Sequence, residues 1–102
     1  MDVKVEIYRN KFIVYANGVS KILVPKSPFS TSRLLVGNFN EAEECLRKGF
    51  KEMRIRTFPR FFKPKVHLHP KEMSEGGLCG VEQRVLYEIA YSAGAKSVEI
   101  NE

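Results

Sequence analysis

Residues 63–102 of the chain read KPKVHLHPKEMSEGGLCGVEQRVLYEIAYSAGAKSVEINE. A run of alternating apolar and polar residues ends at Pro70, and a glycine-rich connection follows it. The spacing of apolar residues then predicts a helix over about 81–93, which ends before Gly94. A second alternating run closes the stretch. Since two strands joined through a helix normally run parallel in one sheet, these residues predict a parallel strand–helix–strand unit.

The first quarter of the chain predicts three antiparallel strands. The first run alternates in polarity, with its apolar residues at Val3, Val5 and Ile7. Residues 12–16 are almost wholly apolar, which is typical of a strand covered on both faces. Asn17 and Gly18 accept the positive φ of a two-residue hairpin, and a third strand is expected over 19–24.

Between these strands and the closing unit, the sequence predicts a loop over 25–39 and then a first helix. Asn40 is expected to cap this helix, with Glu43 in capping-box position. Apolar residues recur every three or four positions, which predicts a face packed on the sheet: Ala42, Cys45, Leu46, Gly49, Phe50 and Met53. In the second helix the same spacing selects Val81, Val85, Leu86, Ile89 and Ala90.

The predicted element order is therefore β-β-β-α-β-α-β, with no internal linker or repeat. With right-handed crossovers, this order fits an α/β (α+β) fold with a five-stranded mixed sheet, the layout of the ribonuclease H-like core. A chain of 102 residues suits a single domain over residues 1–102.

Composition sets broad limits on the class of protein. The net charge is +5, which permits an acidic partner without demonstrating one. No secretory signal and no apolar run of about 20 residues is evident, so a cytoplasmic protein without a transmembrane segment is expected. In that setting Cys45 and Cys79 are expected to be reduced.

Residues 39–102 resemble bacterial actins of the MreB type, the rod-shape-determining proteins. In that family a helix of pattern V-E-x-R-A-V-x-E-A-A-x-x-A-G-A precedes a strand ending in paired glutamates. Here residues 81–95 read VEQRVLYEIAYSAGA and residues 98–102 read VEINE. Residues 39–50 and 61–66 resemble the preceding helix and the approach to its strand. The resemblance implies an actin-like first subdomain, a link to cell shape or the cytoskeleton, and a full-length actin homologue as partner.

The chain departs from that family at the first hairpin. Actin-like ATPases carry D-x-G-T there, but the corresponding positions, aligned through Tyr15 and Gly18, hold Glu6, Tyr8 and Arg9. Tyr8 places a Cβ and a ring where backbone must approach phosphate. No counterpart of the family's second phosphate loop or adenosine pocket is found either. We therefore expect no nucleotide, no other cofactor and no enzymatic activity.

Smaller patterns favour structural roles. His67 and His69 share a strand face at a spacing that suits a metal, but no third ligand is evident. Nothing places Cys79 beside His67 as a nucleophile and base, and a nuclease site would need more carboxylates than Glu6. The glycine-rich turn is an anion-binding nest or simply a tight connection; its glycines are Gly76, Gly77 and Gly80.

A basic and aromatic stretch over residues 54–65, here called the basic segment, is the candidate binding surface. Its cations are Arg54, Arg56, Arg60, Lys63 and Lys65. Phe58, Phe61 and Phe62 lie between them. The composition is typical of surfaces for single-stranded nucleic acid or anionic lipid, and it also suits an acidic protein. Alternatively, the phenylalanines plug one end of the core while the cations face water.

The sequence thus favours a non-catalytic interaction module related to MreB-type actins. A small nucleic-acid-binding protein that uses the basic segment is the alternative hypothesis.

Overall fold

The computed structural model describes residues 1–31, 34–72 and 80–101, and of residue 60 only the backbone. The elements are β1 (Asp2–Tyr8), β2 (Lys11–Ala16), β3 (Val19–Leu23), α1 (Phe39–Glu52), a 3₁₀ turn (Arg60–Phe62), β4 (Lys65–Pro70), α2 (Gly80–Ala93) and β5 (Ser97–Ile100). The five-stranded mixed sheet and the two helices that the sequence predicts are confirmed. Among the described residues, neither helix is long and apolar enough to cross a membrane.

The sheet is built around β1, in the order β3-β2-β1-β4-β5. β1 pairs antiparallel with β2 and parallel with β4, so Val5 lies opposite both Val14 and Leu68. β3 continues the antiparallel side and β5 the parallel side. Backbone bonds from the Lys65 N–H to the Met1 carbonyl (2.8 Å) and from the Lys71 N–H to the Ile7 carbonyl (2.9 Å) extend the β1–β4 pairing at both ends.

Both helices pack on one face of the sheet. Strand side chains alternate between the two faces, and the buried set on the helix side includes Val3, Val5, Ile7, Phe12, Val14, Val66 and Leu68. The two helices also contact each other, and the buried side chains form one continuous core. The other face of the sheet is open. The prediction that β2 is covered on both faces is therefore wrong: Tyr15 is exposed and Ile13 is only partly buried, because neither of the described helices crosses that face.

The helix faces follow the predicted spacing with one exception. In α1 the residues Ala42, Cys45, Leu46, Gly49 and Phe50 are buried, and Met53 is partly buried. In α2, Leu86, Ile89 and Ala90 are buried and Val85 packs at the margin. Val81 was expected in the core but is 72% exposed. It precedes Leu86 by five residues and so lies about 140° around the helix from it.

The start of α1 differs from the sequence prediction. The helix begins at Phe39 with Asn38 as N-cap, so the capping box on Asn40 and Glu43 is wrong. Asn38 makes no side-chain capping bond; its Nδ2 donates instead to the Pro28 carbonyl at 2.9 Å. The entry into the helix is therefore fixed by the preceding loop.

That loop is anchored in the core by Phe29. Its side chain is fully buried and stacks on Phe12, with ring centroids 4.7 Å apart. The Phe29 carbonyl accepts hydrogen bonds from the N–H groups of Gly37 (2.7 Å) and Asn38 (2.9 Å). The buried Phe29 thus holds the two residues that directly precede α1, and this fixes the residue at which the helix begins.

The end of α2 needs a glycine. Gly94 has φ +118°, its N–H donates to the Tyr91 carbonyl (3.0 Å), and the Ala95 N–H donates to the Ala90 carbonyl (3.1 Å). These paired bonds are those of a Schellman motif. A Cβ at position 94 would also lie 2.4 Å from Cγ2 of Thr57. Glycine at position 94 therefore allows both the positive φ that ends α2 and the close approach of Thr57, which precedes β4.

We expect Gly94→Ala to lower the free energy of unfolding by about 1–3 kcal/mol, because it adds left-handed strain to an overpacked contact. Urea unfolding measures the change. The matched control is Gly80→Ala at the first residue of α2, where an added Cβ meets nothing within 4 Å. An equal loss in both variants would contradict the structural explanation.

Candidate functional site

The basic segment begins where α1 ends. The N–H groups of Arg54 and Ile55 donate to the carbonyls of Lys51 (3.0 Å) and Phe50 (2.9 Å), the same pair of bonds that ends α2. Arg54 therefore occupies the position that Gly94 holds in α2, with φ +57°. This left-handed conformation favours glycine, yet the residue here is an exposed arginine. The following Ile55 is buried and fixes the segment to the core.

The phenylalanines of the segment face solvent. Phe58 is 83% exposed, Phe61 73% and Phe62 38%. The interpretation that they plug one end of the core is therefore wrong. Ile55 and Pro64 are the buried residues of this stretch, and they anchor it to the core instead. Large apolar side chains that are exposed together mark an interaction surface more often than a structural one.

The exposed rings have a defined arrangement. The centroids of Phe61 and Phe62 lie 4.6 Å apart with their planes tilted by 42°. The guanidinium carbon of Arg56 lies 3.8 Å from the centroid of Phe62, a cation–π contact. The 3₁₀ turn that carries both rings is closed by the Phe62 N–H, which donates to the Pro59 carbonyl at 2.9 Å. We call Arg56, Phe61 and Phe62 the aromatic platform.

The basic segment lies at the end of the sheet at which β4 and β5 begin. Thr57 packs at Gly94, and the Lys96 N–H donates to the Pro64 carbonyl at 2.7 Å. Of the five cations proposed from the sequence, Arg54, Arg56 and Lys65 are exposed and Lys63 is partly exposed. The side chain of Arg60 lies outside the described part of the chain. The other four form no ion pair with any described residue.

The β1–β2 hairpin lies at the opposite end of β1 and presents Glu6 on the open face. Its Oε1 accepts hydrogen bonds from the hydroxyls of Tyr15 (2.9 Å) and Tyr8 (3.3 Å). Oε2 lies 3.6 Å from Nζ of Lys4 and 3.9 Å from Nζ of Lys71. The carboxylate is thus surrounded by two hydroxyl donors and two ammonium groups.

Burial and the surrounding charges shift the pKa values of Glu6 and His69. Burial raises the pKa of Glu6, but the Tyr15 hydrogen bond and the charges of Lys4 and Lys71 together lower it below its usual value. Burial and the same two lysines lower the pKa of His69, which lies opposite Glu6 in the sheet. A neutral imidazole at pH 7 therefore sits beside an ionised carboxylate.

The remaining candidates that the structure describes are His67 and Cys45. His67 lies between Asp2 (Nε2–Oδ1, 3.7 Å) and Glu99 (Nδ1–Oε1, 4.0 Å) on the open face. Even so, within residues 1–31, 34–72 and 80–101 no group of three or more His, Cys, Asp or Glu side chains could hold a metal. Cys45 is buried, and burial raises its pKa to about 11.

Three of the residues singled out in the sequence lie outside the described part of the chain: Cys79, Gly76 and Gly77. The hypothetical pair of Cys79 with His67 and the glycine nest fall there. Gly80, the last glycine of that group, is the first residue of α2.

We expect Glu6→Gln to lower the free energy of unfolding by about 1–2 kcal/mol at pH 7, since it removes a charge that two lysines and two hydroxyls contact. The folded-state pKa of Glu6 is below the unfolded value, so its contribution is present above about pH 4.3 and is lost as the pH falls through the folded pKa. Urea unfolding from pH 3 to 7 measures the difference between wild type and variant. Glu99→Gln, at an exposed carboxylate, is the control; a Glu6→Gln deficit independent of pH would contradict the expectation.

Comparison with known proteins adds one relative. No model of a known protein family matches the sequence. The uncharacterised protein YjaA of Escherichia coli (strain K12) is 31% identical to it over 93 residues. The alignment covers 87% of this chain and 73% of YjaA, so it is not confined to one motif. The chain therefore belongs to the family of the uncharacterised protein YjaA.

Proposed function

We propose that this chain is a non-catalytic interaction module and that the basic segment is the surface through which it binds a partner. The observation that carries the proposal is the exposure of Phe58 and Phe61, at 83% and 73%. Of the other five phenylalanines, three are buried (Phe12, Phe29 and Phe50), and Phe39 and Phe62 are 36% and 38% exposed. Exposed apolar side chains rimmed by charges are typical of binding sites.

An acidic protein surface is the partner that fits this segment. Aromatic residues and arginine are enriched among the residues that contribute most to protein–protein binding. The contact of Arg56 with Phe62 restrains both side chains before binding, which reduces the entropy lost on association. The exposed cations at the rim supply long-range attraction to a negative surface.

We further propose that the scaffold is ribonuclease H-like and related to the first subdomain of actin-like proteins. Two observations support this. The strand order β3-β2-β1-β4-β5 combines an antiparallel meander with two strands parallel to β1. In addition, α2 carries the V-E-x-R pattern and ends at Ala-Gly-Ala. A full-length MreB-type actin is therefore the first protein partner to test, and a role in cell shape is the corresponding biological proposal.

Loss of nucleotide binding belongs to the same proposal. At the hairpin where actin-like ATPases hold phosphate, Tyr8 folds back so that its hydroxyl donates to Glu6, and Nζ of Lys11 lies 4.7 Å from its ring centroid. The Glu6 oxygens are occupied by Tyr15 and by the neighbouring ammonium groups. This environment supports a structural role for Glu6, as the centre of a network on the open face.

A second candidate function, binding of single-stranded nucleic acid, is favoured by the aromatic platform. Phe61 exposes most of its ring beside a guanidinium already stacked on Phe62. Bases stack on exposed aromatic rings without regard to sequence, while flanking cations contact phosphates. The same surface would then follow a nucleic-acid backbone instead of an acidic protein.

We expect purified full-length MreB-type actin from the same cell to bind the chain, and Phe61→Ser to weaken binding by about 30-fold, as loss of a hot-spot side chain does. Val81→Ser is the matched control, because Val81 is 72% exposed on α2 and lies outside the basic segment. Arg54→Gly is the second variant. It removes a cation from a left-handed position that glycine prefers, so binding should fall while the free energy of unfolding changes by less than about 1 kcal/mol.

Biolayer interferometry measures these affinities, with a labelled single-stranded oligonucleotide and vesicles containing phosphatidylglycerol as competing probes. Binding to the oligonucleotide alone, falling steeply with salt, would replace the first candidate by the second. Binding to the vesicles alone, or an equal loss in Phe61→Ser and Val81→Ser, would contradict both.

We expect ATP with Mg²⁺ to produce no saturable shift in the amide NMR signals of residues 6–11. Tyr8 blocks backbone approach to phosphate, and the Glu6 carboxylate is already contacted by its neighbours. Saturable shifts in this hairpin at millimolar ATP would show that nucleotide binding survives.

A further inference from the structure

β3 is an edge strand whose outer side carries unpaired backbone groups. It pairs with β2 alone, in a hairpin whose closing pair is Ala16 and Val19. Because a two-residue hairpin closes on a hydrogen-bonded pair and such pairs alternate, the N–H and C=O groups of Ser20 and Ile22 point away from β2. Among the described residues, no backbone or side-chain group bonds to them.

The side chains along this edge are apolar and exposed. Ile22 is 60% exposed and Val24 72%. Beside them, a groove of about 310 Å³ separates the edge from α1. Backbone groups at strand spacing that are exposed to water match the groups of another extended backbone one for one, so the chemistry of this edge selects a β-strand as its protein ligand.

The charges of the groove are balanced, although the chain as a whole carries +5. They are three lysines and three glutamates: Lys21, Lys26, Lys48, Glu41, Glu44 and Glu52. Two copies of this surface therefore do not repel each other as two basic segments would. A lysine on an edge strand normally opposes pairing, but Nζ of Lys21 lies 2.8 Å from Glu52 of its own chain, which neutralises it.

We propose that the ligand of this edge is a second copy of the chain, paired β3 to β3 in antiparallel orientation about a two-fold axis at Ile22. In this register the two Ile22 side chains face each other on the open face, and Val24 faces Ser20 of the second copy. Lys21 faces Leu23 of the second copy, so the two lysines are kept apart. The register that centres on Lys21 would place like charges directly opposite each other.

The proposed β3–β3 pairing forms a closed dimer. The same strand serves both copies, so the interface is isologous and yields a dimer with one ten-stranded sheet instead of a filament. No residue of the basic segment lines the groove, which leaves that segment free in both copies. The inference is therefore independent of the proposed function, and it would double the number of basic segments available to one partner.

Sedimentation equilibrium over a range of concentrations tests the proposal. For the wild type, we expect the weight-average mass to rise from 11.7 kDa towards twice that value. Ile22→Lys should weaken self-association by about tenfold or more, because two lysines would then face each other across the axis. Val19→Lys is the matched control: Val19 is also 60% exposed, but it lies at the start of β3 and its backbone groups face β2.

A charge swap makes the test specific to the proposed register. A mixture of the Ile22→Lys and Ile22→Glu variants should dimerise although neither variant does so alone, since opposite charges then meet at the axis. A wild type that stays monomeric at millimolar concentration would overturn the proposal. So would a dimer that Ile22→Lys leaves intact, or an edge that binds an extended peptide of another protein while the chain itself stays monomeric.

Discussion

The structure depends on the pairing of β1 with strands from two distant parts of the chain. On one side β1 pairs with its hairpin neighbour β2, and on the other with β4, so Val3 lies opposite Val66. Closing a loop of some sixty residues is entropically unfavourable, and it is offset by the apolar side chains that β1 and β4 bury together under both helices. This pairing sets the order of the sheet around β1.

The two surfaces at the ends of β1 follow directly from it. The parallel pairing requires the chain to return from the end of α1 to the start of β4, and the basic segment is the path of that return. Its buried anchor Ile55 and the contact of Thr57 with Gly94 hold the path against the core. The phenylalanines that follow lie outside the core and face solvent. At the other end, the same pairing brings His69 and Lys71 beside Glu6.

The one-sided arrangement of the helices accounts for the rest of the surface. Because α1 and α2 both lie on one face, the opposite face is an open layer of polar and half-buried side chains, including the Glu6 network. The glycine in α1 allows a close approach to β3, since a Cβ at Gly49 would lie 2.1 Å from Cδ1 of Leu23. That approach leaves the outer edge of β3 beside α1 but unpaired, with its backbone groups towards solvent.

Local periodicity in the sequence determined the strands, the helices and most of their buried faces. The alternation at Val3, Val5 and Ile7, the Asn17-Gly18 turn and the stop at Gly94 act over a few residues, and the elements they specify are those of the structure. The sequence also singled out the basic segment by composition. The predictions that failed were local ones that contacts between distant residues overrode. The capping box on Asn40 was displaced because the buried Phe29 fixes the start of α1.

Only the tertiary structure decided which apolar residues are covered. Some residues that are as hydrophobic as core residues are exposed, because one layer of helices on one sheet face covers only a limited area. They are Tyr15, Phe58, Phe61 and Val81. The contact of Lys71 with Glu6 and the ion pair of Lys21 with Glu52 beside β3 likewise join residues far apart in the chain. Sequence patterns are local, so they specified the strands and helices. Burial depends on the whole chain, so only the tertiary structure specified which side chains form the surfaces.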